Sequence, residues 1–98
     1  MTERQERLVK CFPDLNKNLE ILAEECAEVI QSKSKLIRFG LNHNHHVTGR
    51  PAVDHLQDEI GDVLAMIDIL VAQQVLDPDE LQAAKERKLK KLESWYDT

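Results

Sequence analysis

The sequence predicts an all-α protein, a helical bundle of one short and three longer helices. Three observations predict it. Gly and Pro number only three each in 98 residues, so long stretches run without a breaker. Leu, Glu, Lys and Ala, all good helix formers, are abundant. The apolar residues recur at three- and four-residue spacing, the period of a one-sided helix, and do not alternate as in a strand.

Each element follows from its punctuation. A first, short helix runs from about Thr2 to Cys11 and is ended by Pro13-Asp14, which also opens the next. From Leu15 to Phe39 there is no Gly or Pro, and Leu15, Leu19, Leu22, Cys26, Val29, Ile30 and Ile37 recur at helical spacing. Gly40 stands where a left-handed residue closes a helix. The polar stretch from Gly40 to Pro51 has no period and is about twice the usual length of a helix–helix connection. Pro51 suits the first turn of a third helix, with Asp54 near its positive end. That helix carries Val53, Leu56, Ile60, Val63, Leu64, Ile67 and Val71 and is expected to reach about Val75. Asp77-Pro78-Asp79-Glu80 then reads as a start signal, with Asp77 as N-cap, Pro78 in the first turn and Glu80 reaching back. The last helix runs through Leu81, Ala84, Leu89 and Leu92 to Trp95-Tyr96.

Size and charge bound the rest. A chain this short supports one core, so residues 1–98 are read as a single domain. No apolar run approaches the length of a membrane span, and no basic region followed by an apolar one opens the chain, so a cytoplasmic protein without a membrane partner is expected. Cys11 and Cys26 are too few and too far apart for a disulfide framework or a zinc knuckle. A net charge of −5 argues against nucleic-acid binding, whose usual footprint is a basic surface. From Val63 to Leu76 the only polar residues are Asp68, Gln73 and Gln74, a helix apolar nearly all round and therefore expected to be buried on every side. Three partner helices can hardly cover it, so a homo-oligomer is expected, a homodimer or dimer of dimers. Asp68, inside that apolar run, would pair with a lysine across the subunit interface or cap its edge.

Two acidic clusters carry the candidate chemistry: Glu24-Glu25-Cys26-Ala27-Glu28 on the second helix and Glu59-Ile60-Gly61-Asp62 on the third. Glu25 and Glu28 lie one turn apart on one side of their helix, as do Glu59 and Asp62. Both pairs flank an apolar stripe, so antiparallel packing through the stripes makes four carboxylates converge. Two like charges 4 Å apart repel by about 4 kcal/mol at an effective dielectric of 20, so the group calls for protons or a cation. Oxygen donors without Cys or His suit Mg²⁺, with Mn²⁺ as a substitute. An acidic pair at this spacing is ordinarily a solvated face. Here Gly61, costly by about 1 kcal/mol inside a helix, suggests close approach of another group, and Glu59/Asp62 adjoin the most apolar segment of the chain. A di-iron bundle needs Glu-x-x-His on two helices, and Glu28 and Asp62 occupy those positions instead.

Lys33 falls on the apolar arc of the second helix, and Lys88, with Lys85 beside it, on that of the last. Lysines on such faces snorkel to water or meet an anion; beside gathered carboxylates, the phosphates of a metal-bound substrate are a natural partner. Lys90 and Lys91 read as solvated face. His43, His45 and His46 lie in the long loop, where substrate contact or simple polar surface is a better reading than a zinc site.

Glu24-Glu25-x-x-Glu28, then Glu59-x-Gly61-Asp62-Val63, then Lys85-x-x-Lys88, resembles the MazG-like branch of the all-α nucleoside triphosphate pyrophosphohydrolases. The stretches Leu22 to Gln31 and Lys35 to Gly40 are similar to the small single-domain phage and bacterial members, and the likeness covers roughly Leu15 to Trp95. The resemblance implies an oligomeric helical fold and a Mg²⁺-dependent hydrolase, engaged in clearing the nucleotide pool, that splits (deoxy)nucleoside triphosphates into nucleoside monophosphate and pyrophosphate. It implies Glu25, Glu28, Glu59 and Asp62 as metal ligands, with Glu24 binding a further metal or orienting water. Lys85 and Lys88, with Lys33, would contact phosphate, and Phe39, His43 and Trp95 are candidates for the base. Phosphoryl displacement needs charge neutralisation and an oriented water more than a covalent nucleophile, and neither a nucleophile triad nor a glycine-rich phosphate loop is visible. Phosphoribosyl-ATP pyrophosphohydrolase is the nearest enzyme alternative. A non-catalytic helical interaction module with a structural metal is the alternative from another class.

Overall fold

The computed structural model describes residues 1–41, 44 and 49–96 of the chain. It is all-helical, with four helices and no strand among the described residues: α1 (Glu3–Cys11), α2 (Leu15–Phe39), α3 (Ala52–Ala72) and α4 (Pro78–Ser94). The starts are side-chain caps. Thr2 and Gln5 form a reciprocal capping box at α1, Asp14 accepts from the Lys17 amide at α2, and Asp77 accepts from the Asp79 amide at α4. The α4 cap therefore works through Asp79 and not through the expected Glu80. Pro51 caps α3 with no side-chain bond, consistent with a residue that fixes φ but offers no acceptor of its own.

The helix ends depart from expectation in three places. Gly40 does close α2, its amide donating to the Leu36 carbonyl at 2.8 Å. However, its φ of 92° and ψ of 161° lie outside the left-handed helical well, in a region almost reserved for glycine. α3 stops at Ala72 and not near Val75. Gln74 adopts φ 63°, its amide donates to Val71 O and that of Val75 to Leu70 O. These are the two bonds of a Schellman motif, built here without glycine. α4 ends at Ser94, with Trp95 as its cap and not as its last turn.

α2 and α3 pack along their length, and α1 packs on α3. The pair is antiparallel: Asn18 meets Gln73 at one end, Glu25 meets Asp62 in the middle, and Leu41 accepts from the Val53 amide at the loop end. Among the described residues the buried apolar ones, Met66, Ile69, Leu70 and Ala72, all come from α3. With them is Asn18, 1% exposed, whose amide nitrogen donates to Phe12 O at 2.8 Å and Gln73 Oε1 at 2.9 Å. Gln73 in turn donates to Phe12 O and Pro13 O, both at 3.2 Å. These bonds tie the α1–α2 turn to the end of α3.

α4 has no comparable packing partner among the described helices. The radius of gyration, 16.6 Å, exceeds the roughly 13 Å of a compact domain of this length. Within one chain α3 is not buried on every side, in line with the expectation that its partner helices can hardly cover it. Ile60 and Leu64 remain exposed, because α2 and α1 cover only part of its circumference. No described helix is long and apolar enough to cross a membrane.

Candidate metal-binding carboxylate site

The site lies where the middles of α2 and α3 cross. Glu25 is on the α2 face turned to α3, and Glu59 and Asp62 are one turn apart on α3. One carboxylate oxygen from each of Glu25, Glu59 and Asp62 can be chosen so that all lie within 4.8 Å of one another. Glu25 and Glu59 are half-buried and Asp62 is exposed, so the group opens to solvent at one edge.

Partial burial and the neighbouring like charges act together there. Partial burial, aided by the charges of Asp62 and Glu59 and a hydrogen bond with Asp62, pushes the Glu25 carboxyl above its ordinary value of 4.5. Glu59 is raised as well, chiefly by burial, then by Asp62 and Glu28, with His55 pulling the other way. Glu28 is thus within electrostatic reach of both, although it is not one of the three converging groups. Glu24 and Glu28 are exposed on the same helix.

The donor set fits a hard divalent cation. Three carboxylates supply oxygen only, they lie close together, and the exposed edge leaves room for water to complete the shell of such a cation. No described His or Cys joins the three acids, which disfavours zinc or redox iron.

Other expected site residues fall elsewhere. Lys33 is exposed on α2, and the helical period puts it in line with Leu15, Cys26 and Ile37, not with Glu25 and Glu28. The expected buried arc for Lys33 is therefore a solvent-facing stripe. Lys85 and Lys88 are exposed on α4 and form no ion pair among the described residues. Lys88 instead lies 5.9 Å from the Trp95 ring centroid, within cation–π range. Phe39 is half-exposed beneath Arg38, at 5.7 Å. His43, with His45 and His46, lies outside the described residues. Asp68 is exposed and forms no ion pair there. Gly61 does not serve close approach within the chain, since a Cβ placed on it meets nothing within 4 Å.

Sequence reasoning missed the clasp beside the site. Arg50, at the end of the long loop, pairs with Asp54 at 4.0 Å and more closely with Asp58. The adjacent carboxylates hold the Arg50 guanidinium above its usual range. Asp54 and Asp58, four apart on α3, were the legible signal, because a residue just before the helix can reach both. The clasp fastens the loop end next to Glu59.

Compared with protein-family models, with curated proteins and with solved structures, the chain gives no match. The functional reading accordingly rests on the residues themselves and on their arrangement.

Proposed function

We propose that this protein is a Mg²⁺-dependent nucleoside triphosphate pyrophosphohydrolase, releasing a nucleoside monophosphate and pyrophosphate. The observation that carries the reading is the convergence of Glu25, Glu59 and Asp62 on one solvent-open point. It occurs in the motif order, Glu-Glu-x-x-Glu then Glu-x-x-Asp, that resembles the MazG-like enzymes. A bound Mg²⁺ supplies charge neutralisation and lowers the pKa of coordinated water.

The chain's own residues do the rest. Glu25, Glu59 and Asp62 hold the cation, and Glu28 adds negative charge at the same edge. Glu24, exposed one position before Glu25, would bind a further metal or orient water, as the resemblance implies. In the reaction, water oxygen adds to the α-phosphorus, the bond from that phosphorus to the oxygen bridging the β-phosphate breaks, and pyrophosphate carries away the bond's electrons. The water's proton passes to a carboxylate or to solvent. Lys85 and Lys88, with Lys33, remain the proposed phosphate contacts and Phe39, His43 and Trp95 the proposed base contacts, though within one chain the described ones do not join the carboxylates.

The test is pyrophosphate release from a panel of canonical and modified nucleoside triphosphates, with and without Mg²⁺. Release is expected only with the metal, and Glu59→Ala is expected to lower it by about 100-fold or more, the scale of losing a group that stabilises transition-state charge. Absence of metal-dependent release from every nucleotide would overturn the reading. Undiminished release by Glu59→Ala would retain the reaction and reject the site.

A further inference from the structure

The loop that enters α3 ends in Gly49-Arg50-Pro51, and its backbone is set on both sides of the arginine. Gly49 takes φ 70°, which favours glycine. The ring of Pro51 holds φ at −59° and disfavours helical backbone at Arg50. Asn44 bridges to Pro51, and the Val53 amide donates to Leu41 O at 3.2 Å. Arg50 is thus presented at a fixed point beside the first turns of α3. Its guanidinium pairs closely with Asp58 and reaches Asp54 at 4.0 Å. About half of the Arg50 and Asp58 side chains, 47% and 50%, stays exposed, so a solute reaches the pair without rearrangement.

The helical period places this pair relative to the carboxylates. α3 meets α2 along a line traced by Glu59, Met66 and Leu70. At about 100° per residue, Asp62 lies about a sixth of a turn from that line and Asp58 about a quarter turn, in one rotational sense. On α2 the contact line runs through Asn18, Leu22, Glu25 and Leu36. Glu28 and Lys35 lie about a quarter turn from it, in the same sense. For antiparallel neighbours, the same sense means the same side of the pair. Asp62, Glu28, Lys35 and the Arg50–Asp58 pair therefore share the open edge. Asp58 is one turn, about 6 Å, from Asp62 along α3, and its charge is felt at Glu59. Lys35 is two turns beyond Glu28, exposed and in no ion pair among the described residues. The edge gathers its carboxylates midway and carries Arg50 and Lys35 at its loop end.

We infer that Arg50, with Lys35, binds the leaving pyrophosphate part of a nucleotide whose α-phosphate meets the metal at the carboxylates. The identity of the anion rests on the proposed hydrolysis; the position of the two cations does not. A metal ion already offset by Glu25, Glu59 and Asp62 leaves the far phosphates in need of positive charge. Charge also builds on them as the bond to the α-phosphorus breaks. Arg50 offers the planar donor fork that matches a phosphate bidentately, and Lys35 a point charge across the edge. Asp54 and Asp58 hold the fork in place before the anion arrives, so little side-chain freedom is lost on binding.

Calorimetric titration of the full chain with inorganic triphosphate in the presence of Mg²⁺ tests this. Arg50→Ala is expected to weaken triphosphate binding by about 10- to 100-fold, the scale of losing a charge-assisted hydrogen bond. Lys35→Ala, which breaks no ion pair among the described residues, is expected to weaken it as well. Asp58→Asn is expected to leave it as tight or tighter, because a negative charge and a competitor for the guanidinium are removed. Equal losses in Arg50→Ala and Asp58→Asn, with none in Lys35→Ala, would show that the pair only fastens the loop and would overturn the inference. So would unchanged affinity in Arg50→Ala, or a wild-type chain that binds no triphosphate. Where Arg50→Ala does not fold, Lys35→Ala and Asp58→Asn still decide by their opposite signs. Pyrophosphate release from nucleotides is measured apart. Release with affinity indifferent to Arg50 sinks only the phosphate assignment, and Arg50-dependent triphosphate binding without release sinks only the hydrolysis.

Discussion

A single residue type at one position often has two opposed explanations, and Gly61 is such a case. It costs helix stability, and the space around it is empty on its own chain. Gly61→Ala is therefore expected to raise the unfolding free energy by about 0.5–1 kcal/mol, the helix-propensity difference. Urea denaturation measures it, and a loss instead of a gain would mean that another molecule approaches this backbone in the functional assembly. Gln74 presents the converse. A residue with a Cβ holds a left-handed corner that glycine would adopt more cheaply, so nothing in the sequence advertised the end of α3. The apolar pattern continues through Val75 and Leu76, and periodicity alone runs on past the stop.

At the scale of elements, most of the fold was legible. The limits of α2 follow from Asp14 and Gly40, and the start of α4 from Asp77-Pro78. The two acidic pairs were correctly set on α2 and α3, and three of the four acids do converge. Two features were not legible, for physical reasons. The Asn18–Gln73 clasp joins side chains 55 residues apart, and a polar residue on an apolar face announces a buried bond without naming its partner. The packing of α4 depends on tertiary balance, and its amphipathic pattern is the same whether its apolar side meets its own chain or none of it. Asn18→Ala tests the clasp. It leaves Gln73 Oε1 without its donor and opens a small void, and is expected to cost about 1–3 kcal/mol. It is also expected to loosen α1 from α3, read as faster amide exchange at Phe12 and through α1. Unchanged exchange there would show that the helix contacts alone hold α1.

The whole molecule carries more acid than base, and part of that excess is concentrated where it opposes folding. Glu25 and Glu59 have folded-state pKa values above their ordinary 4.5. Between 4.5 and those raised values the folded protein binds more protons than the unfolded chain, so these groups make stability fall as pH rises through that window. The metal-free protein is thus expected to gain melting temperature as pH is lowered through that window toward 4.5. Asp62→Asn, which removes a charge raising both groups, is expected to flatten the trend. Added Mg²⁺ is expected to reverse it, because a cation that binds the ionised cluster competes with protons and stabilises only the folded state. Calorimetry across pH with and without Mg²⁺ gives both slopes. A pH trend unaltered by Asp62→Asn would place its origin outside this cluster. Long-range consequences of this kind were foreshadowed by the count of acids, but their location depended on which pair of helices closes on which.

The clasp at Asn18 also dictates an order of events in time. Closure of the α2–α3 hairpin begins most cheaply at the loop end, where Leu41 and Val53 are near in sequence and the entropy of joining them is small. It then proceeds past the carboxylates, whose mutual repulsion opposes the zipper, and finishes when Asn18 finds Gln73. Ease of opening follows burial and not the order of closing. Local opening is expected to start not at the clasp but at the loop end, where Ile37, Phe39 and Leu41 are exposed, and the carboxylate crossing, midway along, is the tollgate that protons or a cation must relieve before it reaches the clasp.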